Sequence, residues 1–239
     1  DMEAVKSPFG KTEDGMLCEF RTFRPHELVR TPDHLSDTEA GTLSCAGLTA
    51  WSALITLDAI KPGDVVLTQG TGGVSLFALQ FAKMAGAEVI ITSSSDKKLS
   101  RARALGADHL INYNTNPNWG RAAVEISNGR GIDHVIELGG TQTLKQSLMA
   151  VRPGGTVSMI GVLSGATFGD TLLPYVVSRQ VRLQGVTVGS REGLEAMCRA
   201  MATHDIKPIV DSVFAMEDTR SAMHYFLEAK HFGKICIEI

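Results

Sequence analysis

The chain has 239 residues, of which 44% are apolar and 21% charged, and its formal net charge is −3. This length allows one large domain or two small ones with a substantial core. The mild acidity gives no electrostatic reason to expect nucleic acid or an anionic membrane as a partner. The four cysteines are scattered, without a Cys-x-x-Cys pair, and we find neither a signal peptide nor an apolar run long enough to span a bilayer. We therefore expect a cytoplasmic protein that binds neither nucleic acid nor membranes.

Short β-branched runs alternate with helical patterns along the middle of the chain. The predicted strands are 64–69, 88–93, 109–113, 133–138, 155–161 and 181–188, and the predicted helices are 73–85, 96–105, 118–127, 141–150 and 191–203. Such alternation is typical of parallel βαβ units. The predicted fold class is α/β, with a doubly wound parallel sheet of six strands in the order 3-2-1-4-5-6.

The two ends of the chain differ from this middle part. Residues 1–35 are short extended pieces interrupted by Pro and Gly, and a helix is predicted to begin at Ser36, with Glu39 in its first turn. Residues 204–239 predict an extended piece, a helix and a final strand. We expect these two ends to form a small second lobe beside a central domain over 36–203.

A glycine-rich turn, GTGGVS at 70–75, lies between the first predicted strand and the helix that follows it. Gly70, Gly72 and Gly73 leave the backbone open, so that several N–H groups at the positive end of the helix dipole can bind one phosphate. Ser75 occupies the third glycine position of the pattern G-x-G-x-x-G and is small enough for close helix packing. The turn could be a purely structural connection, but its strand–turn–helix context favours the pyrophosphate of a dinucleotide.

The end of the second predicted strand indicates which dinucleotide binds. NAD sites place an Asp or Glu there to accept hydrogen bonds from the ribose hydroxyls, whereas this chain has three serines at 93–95, followed by Lys97 and Lys98. Hydroxyls and cations suit the 2′-phosphate of NADP, which a carboxylate would repel. We expect NADP, with NAD as the alternative. In a second interpretation, which Asp96 favours, these residues only cap a helix and form a solvated face.

Seven stretches of the chain match one protein family in order and spacing, from about residue 10 to the end. They are LSCAGLTAWSAL (43–54), KPGDVVLTQGTGGVS (61–75), ARALGADHLINY (102–113), IELGG (136–140), VRPGGTVSMIG (151–161), VTVGSRE (186–192) and HFGKICIEI (231–239). In them the chain resembles the medium-chain dehydrogenase/reductase superfamily, especially its quinone oxidoreductase-like and zinc-type alcohol dehydrogenase-like members. The resemblance implies a Rossmann domain over 36–203, with 1–35 as the closing part of a GroES-like catalytic domain and 204–239 as its C-terminal return. Because the chain starts at Asp1, we expect the earlier part of that catalytic domain to be missing.

The resemblance also implies a set of cofactor-binding residues. These are Thr49 by the nicotinamide ribose; Gly72, Gly73 and Val74 at the pyrophosphate; Ser94, Lys98 and Tyr113 around the 2′-phosphate; Leu138 and Gly139 under the adenosine half; Ile160, Gly161 and Val162 by the nicotinamide; and Phe232 and Lys234 in the last motif. The glycine turn and the end of the second strand add Gly70 and Ser93 to these candidates. Ser190 and Arg191 are further candidates to face cofactor or substrate. The spacing of Ser94, Lys98 and Tyr113 resembles that of the 2′-phosphate site in quinone oxidoreductases, which supports NADP. No side chain is implied as a catalytic acid or base.

Cys45 stands where zinc-dependent alcohol dehydrogenases have a catalytic metal ligand. A catalytic zinc needs three protein ligands, and the resemblance places the others upstream of this chain. We therefore expect no zinc here and read Cys45 as a small packed hydrophobe, with the ligand role as the alternative. The histidines at 26, 34, 204, 224 and 231 are read as surface or lobe-contact residues.

Three functions of different classes remain open from the sequence. The first is an NADP(H)-dependent oxidoreductase that transfers hydride between the nicotinamide and a small alcohol, carbonyl, quinone or enone. The second is an NADP-binding module without turnover, and the third is an S-adenosylmethionine methyltransferase, against which Ser93 argues because that cofactor favours an acidic residue there. The open edge of the sixth strand also predicts a homodimer.

Overall fold

Residues 10, 13–167 and 173–239 are described in the structure, a computed structural model. Six parallel strands form the main sheet in the order β3-β2-β1-β4-β5-β6, which confirms the predicted topology. They are β1 (Val65–Gln69), β2 (Glu88–Ser93), β3 (His109–Asn112), β4 (Ile132–Glu137), β5 (Val151–Met159) and β6 (Arg182–Gly185).

Helices alternate with the strands and cover the sheet. They are α1 (Asp37–Ala40), α2 (Leu48–Trp51) between the π-helical turns Leu43–Gly47 and Ser52–Thr56, α3 (Gly73–Met84), α4 (Asp96–Ala104), α5 (Trp119–Ile126), α6 (Leu144–Ala150), α7 (Leu173–Arg179), α8 (Arg191–Thr203) and α9 (Thr219–Leu227). The predicted helix start at Ser36 is confirmed by a capping box, in which Ser36 Oγ accepts from Glu39 N at 3.2 Å and the Glu39 carboxylate accepts from Ser36 N at 2.8 Å.

The core lies on both faces of the sheet. On one face Val66 and Ile136 pack among side chains of α2, α3, α4 and α8. On the other face Leu67 and Val135 pack among side chains of α5 and α6. Neighbouring residues of one strand point to opposite faces, and both faces are buried, so the strands are nearly continuous apolar runs.

Several elements differ from the sequence predictions; β6, for example, ends at Gly185 rather than 188. β5 begins at Val151 rather than 155, and its register against β4 shifts between Ile132 and His134. α6 begins at Leu144 rather than 141, because residues 141–143 form a separate turn. α7 was not predicted: its seven residues, LPYVVSR, begin with a Leu-Pro pair and contain two β-branched valines, and such a short apolar run gives no helical period.

The last part of the chain forms a second, two-stranded parallel sheet from β7 (Val210–Ala215) and β8 (Lys234–Glu238), joined through α9. This confirms the predicted extended piece, helix and final strand. His34 Nε2 lies 3.0 Å from the carbonyl oxygen of Ile206 and so links the segment before α1 to this sheet. The division of the chain at 35 and 203, and the GroES-like character of the outer segments, stay predictions. None of the helices in the described ranges has the length and hydropathy needed to cross a bilayer.

A buried charged cluster lies near the amino ends of the strands. His134 on β4 contacts Asp58 through Nδ1 and Asp64 through Nε2, the latter at 2.9 Å, and Arg182 Nη2 lies 2.5 Å from Asp58. Because a carboxylate only accepts, both ring nitrogens must donate, which requires the protonated imidazolium. Burial alone would lower the pKa of His134, but hydrogen bonds and charge attraction from the two aspartates raise it overall. Burial alone would raise the pKa of Asp58, but His134 and the other partners of Asp58 lower it overall.

Candidate functional site

The glycine turn lies at the carboxyl end of β1, next to β4, where the strand order reverses. Gly70 has a φ of +74°, which favours glycine, and no atom lies within 4 Å of where a Cβ would project from Gly70 or Gly72. The N-cap of α3 is Gly72, which provides no side-chain hydrogen bond, so the first N–H groups of the helix have no partner within it. Ser75 Oγ donates to the carbonyl of Gln69 at 2.6 Å and fixes the first turn of α3 to the strand. An open cradle with inward N–H groups fits a phosphate.

The segment Phe232–Lys234 is attached directly to this turn. Gly233 N donates to Thr71 O at 2.9 Å, and Gly233 forms a bridge with Gly72. The side chain of Lys234 lies so close over Gly73 that a Cβ there would collide with it. A lysine at the positive end of a helix dipole is unfavourable by itself, and an anion bound at the turn would compensate both charges. Phe232 is 1% exposed, so its side chain belongs to the core beneath the turn.

The three serines at the end of β2 have different environments. Ser93 is buried, and its Oγ accepts from Ser95 N at 3.3 Å. Ser95 is the N-cap of α4 and accepts from Lys98 N at 3.4 Å, as the capping interpretation predicted for this stretch. Ser94 is exposed. Tyr113 N donates to Ser93 O at 3.1 Å, so Tyr113 lies beside the end of β2, but the groove that Ser94 and Lys98 line there does not include it.

Cations from two parts of the chain meet beside these residues. A groove of about 520 Å³ between α4 and α9 is lined by Ser94, Lys98, Arg101 and Lys230, among others. Lys98 Nζ donates to the carbonyl of Ala229 at 2.7 Å, which ties α4 to the end of α9. Burial has the largest effect on the pKa of Lys98 and lowers it. Asp211 raises this pKa and Arg101 lowers it, and the net shift is downward.

Asp211 lines this groove and Asp96 begins α4 next to Ser95, and both carboxylates have donors. Asp211 is 3.1 Å from Arg101 Nη1 and accepts from Tyr225 Oη at 2.7 Å. Burial would raise the pKa of Asp211, but these two partners lower it overall. Asp96 accepts from Asn112 Nδ2 at 2.8 Å. Burial, and to a lesser extent Lys98, lower the pKa of His231, while Asp211 raises it.

The ends of β4 and β5 form the opposite wall of the crevice. Ile160 N and Gly161 N donate to the carbonyl of Glu137 at 2.9 and 3.2 Å. Gly161 approaches Leu138 O so closely that a Cβ would not fit. The predicted residues Leu138, Gly139, Ile160 and Gly161 are therefore brought together, and Val162, which follows them, is 64% exposed.

Two buried polar residues that the sequence reasoning missed hold this wall. Gln69 ends β1 and Glu137 ends β4, and they are 8% and 1% exposed. Gln69 Nε2 donates to Glu137 Oε2 at 2.7 Å. Polar residues at the ends of otherwise apolar strands, in VVLTQG and HVIELGG, were a signal that could have found them, since a buried polar group needs partners.

The remaining candidates make local contacts. Thr49 is buried on α2 and donates to Cys45 O at 2.7 Å, and its helix packs on α3. Ser190 caps α8 by accepting from Gly193 N at 3.1 Å, while Arg191 pairs with Glu195 at 3.0 Å. Cys45 is exposed rather than packed, which corrects its reading as a buried hydrophobe; the π-helical turn Leu43–Gly47 places it at the surface. In the described ranges no three His, Cys, Asp or Glu side chains are grouped so as to hold a metal ion.

A doubly wound parallel sheet with a glycine turn at its central strand defines a dinucleotide-binding class of domain. Residues 73–203 match the family described as zinc-binding dehydrogenase. A zinc-type alcohol dehydrogenase-like protein of Schizosaccharomyces pombe is 42% identical over 241 residues, which cover 99% of this chain and 70% of that protein. This chain belongs to the zinc-binding dehydrogenase family of the medium-chain dehydrogenase/reductase superfamily. The methyltransferase alternative is thereby removed.

Two solved structures share the fold and differ in the cofactor that they are named for. The crystal structure of an NAD-dependent alcohol dehydrogenase has a TM-score of 0.90 at 31% identity, over 98% of this chain and 68% of that one. The structure of the 2-octenoyl-CoA carboxylase reductase CinF in complex with NADP and 2-octenoyl-CoA has a TM-score of 0.82 at 26% identity, over 90% of this chain and 52% of that one. The family thus includes alcohol dehydrogenases and reductases, and the chain spans only part of their length.

Proposed function

We propose that this chain is the cofactor-binding part of an NADP(H)-dependent oxidoreductase that acts on a small molecule. The observation that carries this proposal is the open glycine turn, with the side chain of Lys234 lying over Gly73 at the start of α3. The family membership supports an oxidoreductase, since the relatives named above are dehydrogenases and reductases.

In this proposal the N–H groups of Gly72, Gly73 and Val74 bind the pyrophosphate. The helix dipole of α3 and the ammonium of Lys234 compensate its charge. Thr49 lies on the helix that packs against this turn and contacts the nicotinamide ribose. These residues fit the cofactor because nothing fills the space above Gly70 and Gly72.

The preference for NADP rests on the end of β2. Ser94 is exposed there and lines a groove together with Lys98, while Tyr113 follows the end of β3. The side chains that line this groove include Lys97, Lys98, Arg101 and Lys230 with the carboxylate of Asp211, so the groove keeps an excess of cations for a 2′-phosphate. NAD is the alternative cofactor, in which case Ser94 would bond to a ribose hydroxyl.

The bound nicotinamide supplies the chemistry, because it donates or accepts the hydride exchanged with an alcohol, carbonyl or activated alkene. The contribution of this chain is to bind and orient the cofactor and to exclude water from one side of it. The second candidate function is cofactor binding without turnover.

Binding and turnover measured on the same sample separate the two. Binding is followed by the change in reduced-nicotinamide fluorescence on titration with NADPH, and turnover by loss of its absorbance with a panel of aldehydes, quinones and enones. Loss of absorbance with any of them supports the oxidoreductase. Binding without loss supports the module, and no binding of NADPH or NADH contradicts both.

A further inference from the structure

One polar pair, Gln69 and Glu137, connects both walls of the crevice at the carboxyl ends of β1 and β4. The main-chain oxygen of Gln69 accepts from Ser75 Oγ at 2.6 Å and so holds the first turn of α3. Its side-chain Oε1 accepts from Leu138 N and Gly139 N at 3.0 and 3.1 Å. One residue therefore fixes the glycine turn through its backbone and the opposite wall through its side chain.

Glu137 fixes the rest of that wall. Its Oε1 accepts from Gly139 N, Gly140 N and Thr143 Oγ1 at 2.8, 2.9 and 2.5 Å. Its backbone carbonyl accepts from the N–H groups of residues 160 and 161 at the end of β5. The predicted cofactor contacts after β4, and two of the three after β5, are thus held by this pair.

The hydrogen-bond partners of Gln69 and Glu137 determine which of their atoms donate and which accept. Gln69 Oε1 is occupied by two N–H groups, so its Nε2 faces Glu137 Oε2 at 2.7 Å and also donates to Ser147 Oγ at 2.8 Å. Ser147 Oγ in turn donates to Glu137 Oε2. Every hydrogen bond at the Glu137 carboxylate is donated to it, so the network is complete only with one acceptor-only side chain and one amide.

We propose that Gln69 and Glu137 are positioning residues for the dinucleotide: they touch neither phosphate nor nicotinamide but set the spacing between the glycine turn and the wall at 138–140 and 160–161. This inference rests on the proposed function. Both residues are buried and hold both walls of the crevice, so they set the affinity for NADPH and NADH alike, unlike the groove around Lys98.

The test exchanges the two side chains. Glu137→Gln places two amide NH₂ groups face to face, and Gln69→Glu places two carboxylates face to face; each single variant is expected to weaken binding of both NADPH and NADH about tenfold. In the double variant Gln69→Glu/Glu137→Gln, the new amide donates to the new carboxylate and to Ser147. This exchange is expected to restore both affinities to within about threefold of the starting chain.

The matched control is Asp133→Asn, which removes a buried carboxylate from the other end of β4. Asp133 is 2% exposed and accepts from Val65 N at 2.7 Å and from Arg130 and Arg152. This variant is expected to lower the unfolding temperature as Glu137→Gln does, but to leave both affinities within about twofold, since the change lies far from the crevice. Affinities are measured by calorimetry at a temperature where circular dichroism shows each variant folded.

If Glu137→Gln does not fold, Thr143→Val, which removes one donor to Glu137, takes its place with an expected loss of about threefold. Single variants that bind both cofactors like the starting chain would overturn the inference, as would a folded double variant that binds no better than the singles. If the starting chain binds neither cofactor, the proposed function fails and this inference fails with it. That outcome is distinct from the others because it needs no variant.

Discussion

Ser93, Ser94 and Ser95 follow one another in the chain, yet each does something different. Ser93 is buried, Ser95 caps α4, and only Ser94 stays exposed beside Lys98. The two sequence interpretations of this stretch, a helix cap and a phosphate site, therefore do not exclude each other, because different serines serve them. A one-residue difference in burial decides which hydroxyl is accessible, and sequence alone does not give it.

His134 provides a residue-scale prediction about stability. Its pKa is raised in the folded state, so the stability it contributes is fully present below about pH 6.5, its unfolded value, and is lost as the pH rises through the raised value. His134→Gln is expected to lower the free energy of unfolding by about 3 kcal/mol near pH 6, since Asp58 and Asp64 lose their shared cation. The difference from the starting chain should shrink toward about pH 9, as measured by urea unfolding.

His109→Gln is the control for that experiment. His109 pairs with Glu88 at 2.5 Å, but these side chains are 38% and 46% exposed, so the loss should stay below about 0.5 kcal/mol at either pH. Equal losses in the two variants, or a His134→Gln loss that grows with pH, would contradict the charged cluster.

At the scale of elements, the structure depends on contacts between turns that are remote in sequence. β8 is attached to the glycine turn through Gly233, and α6 starts late because residues 138–140 are held by Gln69 and Glu137. The strands, their order and most helices were predicted, because apolar periodicity and turn residues are local signals. The polar pair and the attachment of Gly233 were not, because they join residues far apart in the chain.

Gly233→Ala tests the attachment of β8. Gly233 has a φ of +92°, and a Cβ would collide with Ile209 O. Gly63 has a φ of +84° with no atom near, so Gly63→Ala carries only the backbone strain of about 1 kcal/mol. We expect Gly233→Ala to cost clearly more in thermal unfolding and also to weaken NADPH binding, while Gly63→Ala leaves binding unchanged. Equal costs in the two variants would mean that the turn at 233 adjusts freely.

At the scale of the whole molecule, the exposed edge of the main sheet suggests how two chains could pair. β6 is the last strand of the sheet, and Leu163, after β5, is 89% exposed. We propose a homodimer that pairs across this edge. Light scattering at micromolar concentration should give twice the chain mass, and Leu163→Asp should lower the measured mass. The control is Leu227→Asp, at a 76% exposed position on α9, which should leave the measured mass unchanged. A monomer mass for the starting chain would contradict the dimer.

The central claim is that the glycine turn and the end of β2 bind NADP(H), and calorimetric titration tests it most directly. The chain is titrated with NADPH and with NADH, and the titrations are repeated with Lys98→Ala and, as control, with Arg103→Ala, an exposed cation on α4 that does not line the groove. We predict tighter binding of NADPH than NADH, a loss of about tenfold for NADPH alone in Lys98→Ala, and little change in Arg103→Ala. Equal binding of the two cofactors, unaffected by Lys98→Ala, would contradict the 2′-phosphate site, and no binding of either would contradict the cofactor site itself.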